Sequence, residues 1–349
     1  MALDRPAPRI ARLWLASLGL GAIVGFGTGC DSSPANQDAD SATDPGTEAP
    51  ADTDGSGEDA PTADDAAAED VDTALPIEER RIIAIGDVHG DQASALDALQ
   101  LAGAVDNAGN WIGDGLIVVQ VGDQTDRGDD EREILDWFED LREQAEAAGG
   151  AFHPLLGNHE VMNVQLDLRY VTEGGFEDWA DTPYDETDPF YAQFDEAARG
   201  RVAAFRPGGP YARLLADHDM ALQLGDTVFV HGGLTPDYAE RGIDTINAEV
   251  SRWMSGLGPE PVSVRGDDCP IWSRHFSSDT DADDCALLEE TLEILGAERM
   301  VVAHTVQDDG ITSACDDRVW RVDVGLSDYY GGATQVLEII GDDVRVIRP

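Results

Sequence analysis

The chain has 349 residues, 71 of them acidic and 22 basic, for a formal net charge of −49, and every basic residue is an arginine. A phosphate backbone needs a basic surface, so nucleic acid is excluded as a partner. Hydrophobic content of 42% still allows a substantial core, and the length suits one large catalytic domain with accessory segments.

Arg5, Arg9 and Arg12 form a positive leader, Leu13 to Val24 is apolar or small, and Gly27-Thr28-Gly29-Cys30 follows. This layout predicts a secretory signal peptide over residues 1–30, with an apolar run too short for an ordinary membrane span. Cys30 sits where a bacterial lipobox places its lipidated cysteine, although Gly27 stands where that motif usually has leucine. Two outcomes remain open, lipidation at Cys30 or simple cleavage near it. The expected location is periplasmic or in the cell envelope, with membrane contact through that anchor. Residues 31–77 are dominated by Asp, Ala, Thr, Pro, Gly and Ser. They cannot bury enough apolar surface to offset chain entropy, so an acidic, disordered tether is expected. The catalytic domain is expected over 78–349.

From Arg80 onward, short apolar runs alternate with helical patterns. Strands are predicted at Arg81–Gly86, Leu116–Gly122 and Phe152–Leu156. Between them, helices are predicted over Gln92–Gly103 and Glu131–Ala148, the second with Ile134, Leu135, Phe138 and Leu141 on one face. This βαβαβ order implies a largely parallel sheet. Residues 163–225 read as a mainly helical insertion whose aromatic residues, from Phe176 and Trp179 to Phe205 and Tyr211, pack a core or cap or line a substrate wall. Thr227–Val230 and Met300–Ala303 supply further strands. Val319–Val324, Thr334–Ile340 and Val344–Ile347 are expected to complete a second sheet in antiparallel fashion. Export permits one disulfide among Cys269, Cys285 and Cys315, and the shorter loop favours Cys269 with Cys285. No CxxC spacing indicates structural zinc.

Five strand runs each end in a metal-ligand type of residue. Asp87 and His89 lie in GDVHG, Asp123 in GDQTDRG, Asn158 and His159 in GNHE, His231 in HGG, and His304 in AHT. Ligands in open α/β sheets gather beyond the carboxyl ends of strands, so these side chains are expected on one rim. Oxygen and imidazole donors suit manganese, with iron or zinc as alternatives. Asp87, His89 and Asp123 are expected to hold one divalent ion, and Asp123, Asn158, His231 and His304 the second, with Asp123 shared. Such a pair acidifies a water and clamps a phosphoryl oxygen.

These blocks, over about residues 80–349, resemble the phosphoprotein phosphatases among the calcineurin-like metallophosphoesterases. The Gly128-Asp129-Asp130-Glu131 run, Pro270-Ile271-Trp272-Ser273-Arg274, and the Asp323–Ser327 and Tyr330–Gly332 blocks are similar to the Shewanella-like bacterial protein phosphatases. The resemblance implies an α/β sandwich of two β-sheets flanked by helices, and a phosphomonoesterase using a metal-bridging hydroxide. It further implies His159 as general acid, Asp126 as the carboxylate that orients it, and Arg127 as a phosphate-gripping arginine. Arg274 is the candidate for a second phosphate-binding arginine, with surface ion pairing as its alternative role. The substrate expected is a phosphotyrosine or phosphoserine/threonine protein or peptide. A hydrolase of dinucleoside polyphosphates or other small phosphoesters is the alternative, and a non-catalytic surface binding protein a third reading.

Overall fold

The computed structural model describes residues 75–349. The leader, Cys30 and residues 31–74 of the acidic segment lie outside the described residues. In chain order the elements are β1 (Ile82–Ile85), α1 (Gln92–Ala102), β2 (Ile117–Gln120), α2 (Glu131–Ala147), β3 (Ala151–Pro154), α3 (Asn158–Val164) and α4 (Glu173–Glu177). They continue with α5 (Arg199–Phe205), α6 (Pro210–Leu215), β4 (Ala221–Leu224), β5 (Thr227–Val230), α7 (Pro236–Arg241), α8 (Ile243–Met254) and α9 (Ala282–Leu295). The chain closes with β6 (Arg299–Val302), β7 (Thr312–Ala314), β8 (Val319–Arg321), β9 (Val336–Ile340) and β10 (Asp343–Ile347). Among the described residues, no helix is long and apolar enough to cross a membrane.

Two mixed sheets of five strands result, ordered β10-β9-β1-β2-β3 and β4-β5-β6-β8-β7. The expected parallel β1–β2–β3 core is present in register, Ile83 beside Val118 and Val118 beside Phe152. Alternation along the strands explains how the sheets stack. Phe229 and Val301 face the core shared with β1, β2 and α1, while Val228, Val230, Met300 and Val302 face a second core built with α8 and α9. The inner layer is thus an apolar sandwich, and helices cover the outer faces.

Three sequence expectations change. The terminal strands do not all join the second sheet: β8 runs parallel to β6, whereas β9 pairs antiparallel with β1 and carries β10 on its outer edge. The physical reason is edge availability, because β2 occupies one side of β1 and the β9–β10 hairpin covers the other. The insertion at 163–225 contains helices, but they are short, and it ends in β4. Runs such as Arg206-Pro207-Gly208-Gly209-Pro210 interrupt helical propagation.

The disulfide is Cys285–Cys315, with Cα atoms 5.3 Å apart, and Cys269 is free and buried. Loop length misled here, because reach in space decides pairing. Cys285 lies in the first turn of α9 and Cys315 in the β7–β8 turn, while the Cys269 thiol is enclosed and pushed up to about 11 by burial. Closing this loop, a sequence separation of 30, constrains the unfolded chain. Reduction is therefore expected to lower unfolding stability by about 3.5 kcal/mol, read as a denaturant midpoint with and without reductant. Cys285 and Cys315 should resist alkylation in the unreduced native protein, and labelling of either would contradict the pairing.

Candidate metal centre and active site

The turns after the strands are tied to one another. The amides of Val88 and His89 both donate to the carbonyl of Asp123, at 3.1 and 3.0 Å, and Gly90 donates to Gln124 at 2.8 Å. Glu160, in the first turn of α3, accepts from the amides of Asp123 (2.9 Å), Gln124 (2.8 Å), Thr125 (2.9 Å) and Gly157 (2.8 Å), and from the Thr125 hydroxyl (2.9 Å). A fully buried carboxyl group thereby fixes the turn after β2 against the turn after β3. Two glycines permit the closeness. A Cβ on Gly157 would stand 2.2 Å from Asp123 Oδ1, and Gly122, at φ 91°, faces the Gly157 backbone and His231. His89, Asp123, Asp126, Arg127 and His304 all hold positive φ, which non-glycine residues adopt only where the surroundings enforce it.

All six residues expected from the sequence as metal ligands converge. The ligand atoms of His89, Asp123 and His159 form one group that could hold an ion, and those of Asp123, His231 and His304 form another, with Asp123 common to both. His89 Nε2 lies 3.7 Å from Asp87 Oδ2 and 3.7 Å from Asp123 Oδ2. His231 Nε2 is 3.3 Å from Asp123 Oδ2 and 3.1 Å from Asn158 Oδ1. Asp87 Oδ1 is 3.9 Å from His231 Nδ1 and accepts from the His304 amide at 3.4 Å. The back nitrogens of His89 and His231 face the carbonyls of Thr125 (3.1 Å) and Val121 (2.8 Å), which leaves each Nε2 aimed inward.

The electrostatics fit a cation. Burial, with the neighbouring carboxyl groups of Asp323 and Asp123, holds the Asp87 carboxyl well above its usual range. Asp123 is also buried, yet the facing His231, His159 and His89 bring it well below its usual range. Burial pushes His89 down to about 3, and burial with His231 and Arg274 puts His304 well below an ordinary imidazole, so both are neutral donors at neutral pH. His304 Nε2 is buried with no hydrogen-bond partner, and among the described residues no arginine pairs with Asp87, Asp123 or Asp323. An orphan imidazole nitrogen within a ring of carboxyl groups and neutral histidines is the donor set that divalent metals require.

Beside this group, His159 Nδ1 meets Asp126 Oδ2 at 2.6 Å, and its Nε2 lies 3.8 Å from Asp123 Oδ2. Burial lowers the proton affinity of His159, but Asp123 and Asp126 outweigh it, and the imidazole titrates above its ordinary value. Arg127 sits among three tyrosine rings, 4.6 Å from the centroid of Tyr170, 5.1 Å from Tyr329 and 5.4 Å from Tyr330, with its Nε buried and unpartnered. Arg274 lies at the rim, exposed, with Nη1 3.4 Å from Thr305 Oγ1 next to His304. A cleft of about 760 Å³ opens beside Arg127, lined in part by Gly128, Asp129, Thr172 and Tyr329.

Sequence reading missed several neighbours. Glu160 stood in a quoted motif without a role. Asp323, pushed up to about 6 by burial, sits against Asp87 and was visible only as part of a subfamily block. The aromatic wall is built from Tyr170, Tyr329 and Tyr330, not from the insertion's Trp179 and Phe205, which are core residues.

Residues 80–308 match the family described as "Calcineurin-like phosphoesterase", and the chain belongs to that family. Its fold, two mixed sheets flanked by helices, agrees with this, and membership makes it a phosphoester hydrolase of a class that uses divalent metals. Within the family it resembles the Shewanella-like protein phosphatases. It is 39% identical over 301 residues to Shewanella-like protein phosphatase 2 of Arabidopsis thaliana, covering 76% of this chain and 77% of the relative. It is 28% identical over 258 residues to Shewanella-like protein phosphatase 1 of Plasmodium berghei (strain Anka), covering 71% and 67%. The crystal structure of the cold-active protein-tyrosine phosphatase of a psychrophilic Shewanella species shares the fold, with a TM-score of 0.58, 22% identity, and coverage of 77% and 80%.

Glu160→Gln turns one acceptor into a donor facing main-chain amides, which loosens the Asp123 turn. Mn²⁺ affinity should fall about 10–100-fold, measured by competition with a metal indicator. An unchanged affinity would mean that the turn keeps its shape without the carboxylate.

Proposed function

We propose that the protein is a dinuclear-metal phosphomonoesterase acting on phosphorylated proteins or peptides. The observation that carries this reading is the 2.6 Å His159–Asp126 pair, with His159 Nε2 directed toward the shared Asp123. Asp87, His89 and Asp123 would hold one ion, and Asp123, Asn158, His231 and His304 the other, with manganese preferred. When bound, such ions supply Lewis acidity that lowers the pKa of a water and neutralises phosphoryl charge.

The chain's own groups do the rest. Arg127 offers a fixed fork of donors to the phosphate oxygens, held in place by stacking on Tyr170, Tyr329 and Tyr330. Arg274, exposed beside Thr305 and His304, would supply a second guanidinium to a bound phosphate. His159 carries its proton on Nε2 and delivers it to the leaving oxygen as the P–O bond breaks, so that an alcohol or phenol departs rather than an anion. Asp126 fixes the tautomer and stabilises the charged imidazole. Its carboxylate distinguishes His159 from His89 and His231, whose back nitrogens face main-chain carbonyls. The tyrosine collar around Arg127 favours an aromatic leaving group, and phosphotyrosine is therefore the preferred substrate, with phosphoserine and phosphothreonine slower. The Shewanella-like protein phosphatase relatives support a phosphoprotein substrate, and the cold-active protein-tyrosine phosphatase that shares the fold accords with phosphotyrosine. Export fits the Cys285–Cys315 disulfide, because such bonds persist in oxidising compartments. We place the protein in the cell envelope, held through Cys30 and the acidic segment.

Three measurements test this. Metal-stripped protein resupplied with Mn²⁺ should hydrolyse p-nitrophenyl phosphate, and Asp87→Asn should bind less metal by elemental analysis. Full occupancy in that variant would remove Asp87 from the ligand set. His159→Asn should keep its metal and lose about 10²-fold or more in kcat on substrates with poor leaving groups, and far less on p-nitrophenyl phosphate. Equal losses on both would sink the proton-donor role.

A further inference from the structure

The insertion reaches into the centre of the protein through one residue. Arg201, in α5, is fully buried, and its guanidinium is used on every side. Nε donates to Asn163 Oδ1 at 2.8 Å and Nη1 to the Gly175 carbonyl at 2.7 Å. Nη2 donates to Asp126 Oδ1 at 3.3 Å and to Glu131 Oε2. The plane lies 4.6 Å from the Trp179 ring centroid and 5.0 Å from that of Phe205, both core residues.

A buried guanidinium between two carboxyl groups is costly to assemble and strongly destabilising to break. What it holds is specific. Asp126 gives Oδ2 to His159, so its orientation depends on what grips Oδ1. Only two side chains do so among the described residues, Arg201 and Asn163, the latter at 3.1 Å. Asn163 is itself fixed by the His159 carbonyl at 2.9 Å and by Arg201 Nε. Asp126 also stands at φ 66°, a conformation that needs support from outside its own turn.

We propose that Arg201 is a positioning residue for leaving-group protonation: it locks Asp126, and through it the imidazole of His159, so that the folded insertion is a working part of the proton-transfer apparatus. The inference rests on the proton-donor reading of His159. It separates two functions physically, because Arg201 touches none of the six metal-ligand candidates.

The experiment compares the full chain with Arg201→Gln, Asn163→Ala and His159→Asn, each loaded with Mn²⁺, on a series of aryl and alkyl phosphates of rising leaving-group pKa. Arg201→Gln is expected to keep its metal content, lose several-fold in kcat on p-nitrophenyl phosphate, and lose about 10²-fold on alkyl phosphates, giving a steeper leaving-group dependence. Asn163→Ala should steepen it in the same direction and carries the measurement if Arg201→Gln does not fold. A wild-type slope in a folded, metal-loaded Arg201 or Asn163 variant, with a steep slope in His159→Asn, overturns this inference alone. A wild-type slope in His159→Asn overturns the proton-donor reading and this inference with it.

Discussion

The centre of this protein is governed by an excess of buried carboxyl groups. Asp87, Asp123, Asp126, Glu131, Glu160 and Asp323 are all buried, and the chain has no lysine to set among them. Each must be satisfied by main-chain amides, by an arginine, by histidines or by a cation. Glu160 is satisfied by main-chain amides, and those bonds are what fold two catalytic turns onto each other. Asp126 and Glu131 share the guanidinium of Arg201. Among the described residues, Asp87, Asp123 and Asp323 have only each other, the histidines and one main-chain amide apiece, and this cluster of carboxyl groups with no arginine paired to it is the strongest physical argument that cations complete the site.

How much of this is legible in the sequence follows from the distance over which each feature is decided. The metal-ligand candidates are legible because each lies within a few residues of the end of an apolar strand run, as Asp87 does after Ile82–Ile85 and His231 after Thr227–Val230. Parallel strands with their carboxyl ends on one side then bring such residues together without further information. The His159–Asp126 pair is legible through the resemblance of its two motifs, GNHE and GDQTDRG, to a family. Arg201 is not legible. It sits in Arg199-Gly200-Arg201, a run with no periodicity or motif to mark it, and its role depends on contacts 75 residues away with Asp126. The same limit applies to the sheet that β9 joins and to the partner of Cys285. Both depend on which edge or thiol is within reach after folding.

The acidic surface and the acidic interior act differently. Outside, the negative field keeps the protein soluble and slows the approach of polyanions. Within the site, field lines from the buried carboxyl groups would repel a phosphate dianion outright if they were uncompensated. Cations held by these groups would reverse that sign locally, and Arg127 and Arg274 would add to the reversal. On the proposed function, substrate entry would be coupled to metal occupancy, since ions at Asp123 would make an attractive spot within an otherwise acidic surface.

The two halves of the chemistry are anchored in different parts of the chain. The metal-ligand candidates come from strand ends in both sheets, so their spacing depends on how the sandwich packs, through residues such as Phe229 and Val301 against the β1 layer. The proton-transfer pair comes from the β2 turn and α3, braced from behind by α5. Trp179 and Phe205, which flank Arg201, belong to the core that also takes Val228, Val230, Met300 and Val302 of the second sheet, so the brace and that sheet share their packing, while Ile83, Val118 and Phe229 belong to the other core. The proposed proton-transfer pair and the metal-ligand candidates are then distinct groups of side chains that meet at Asp123, whose Oδ2 lies 3.8 Å from His159 Nε2.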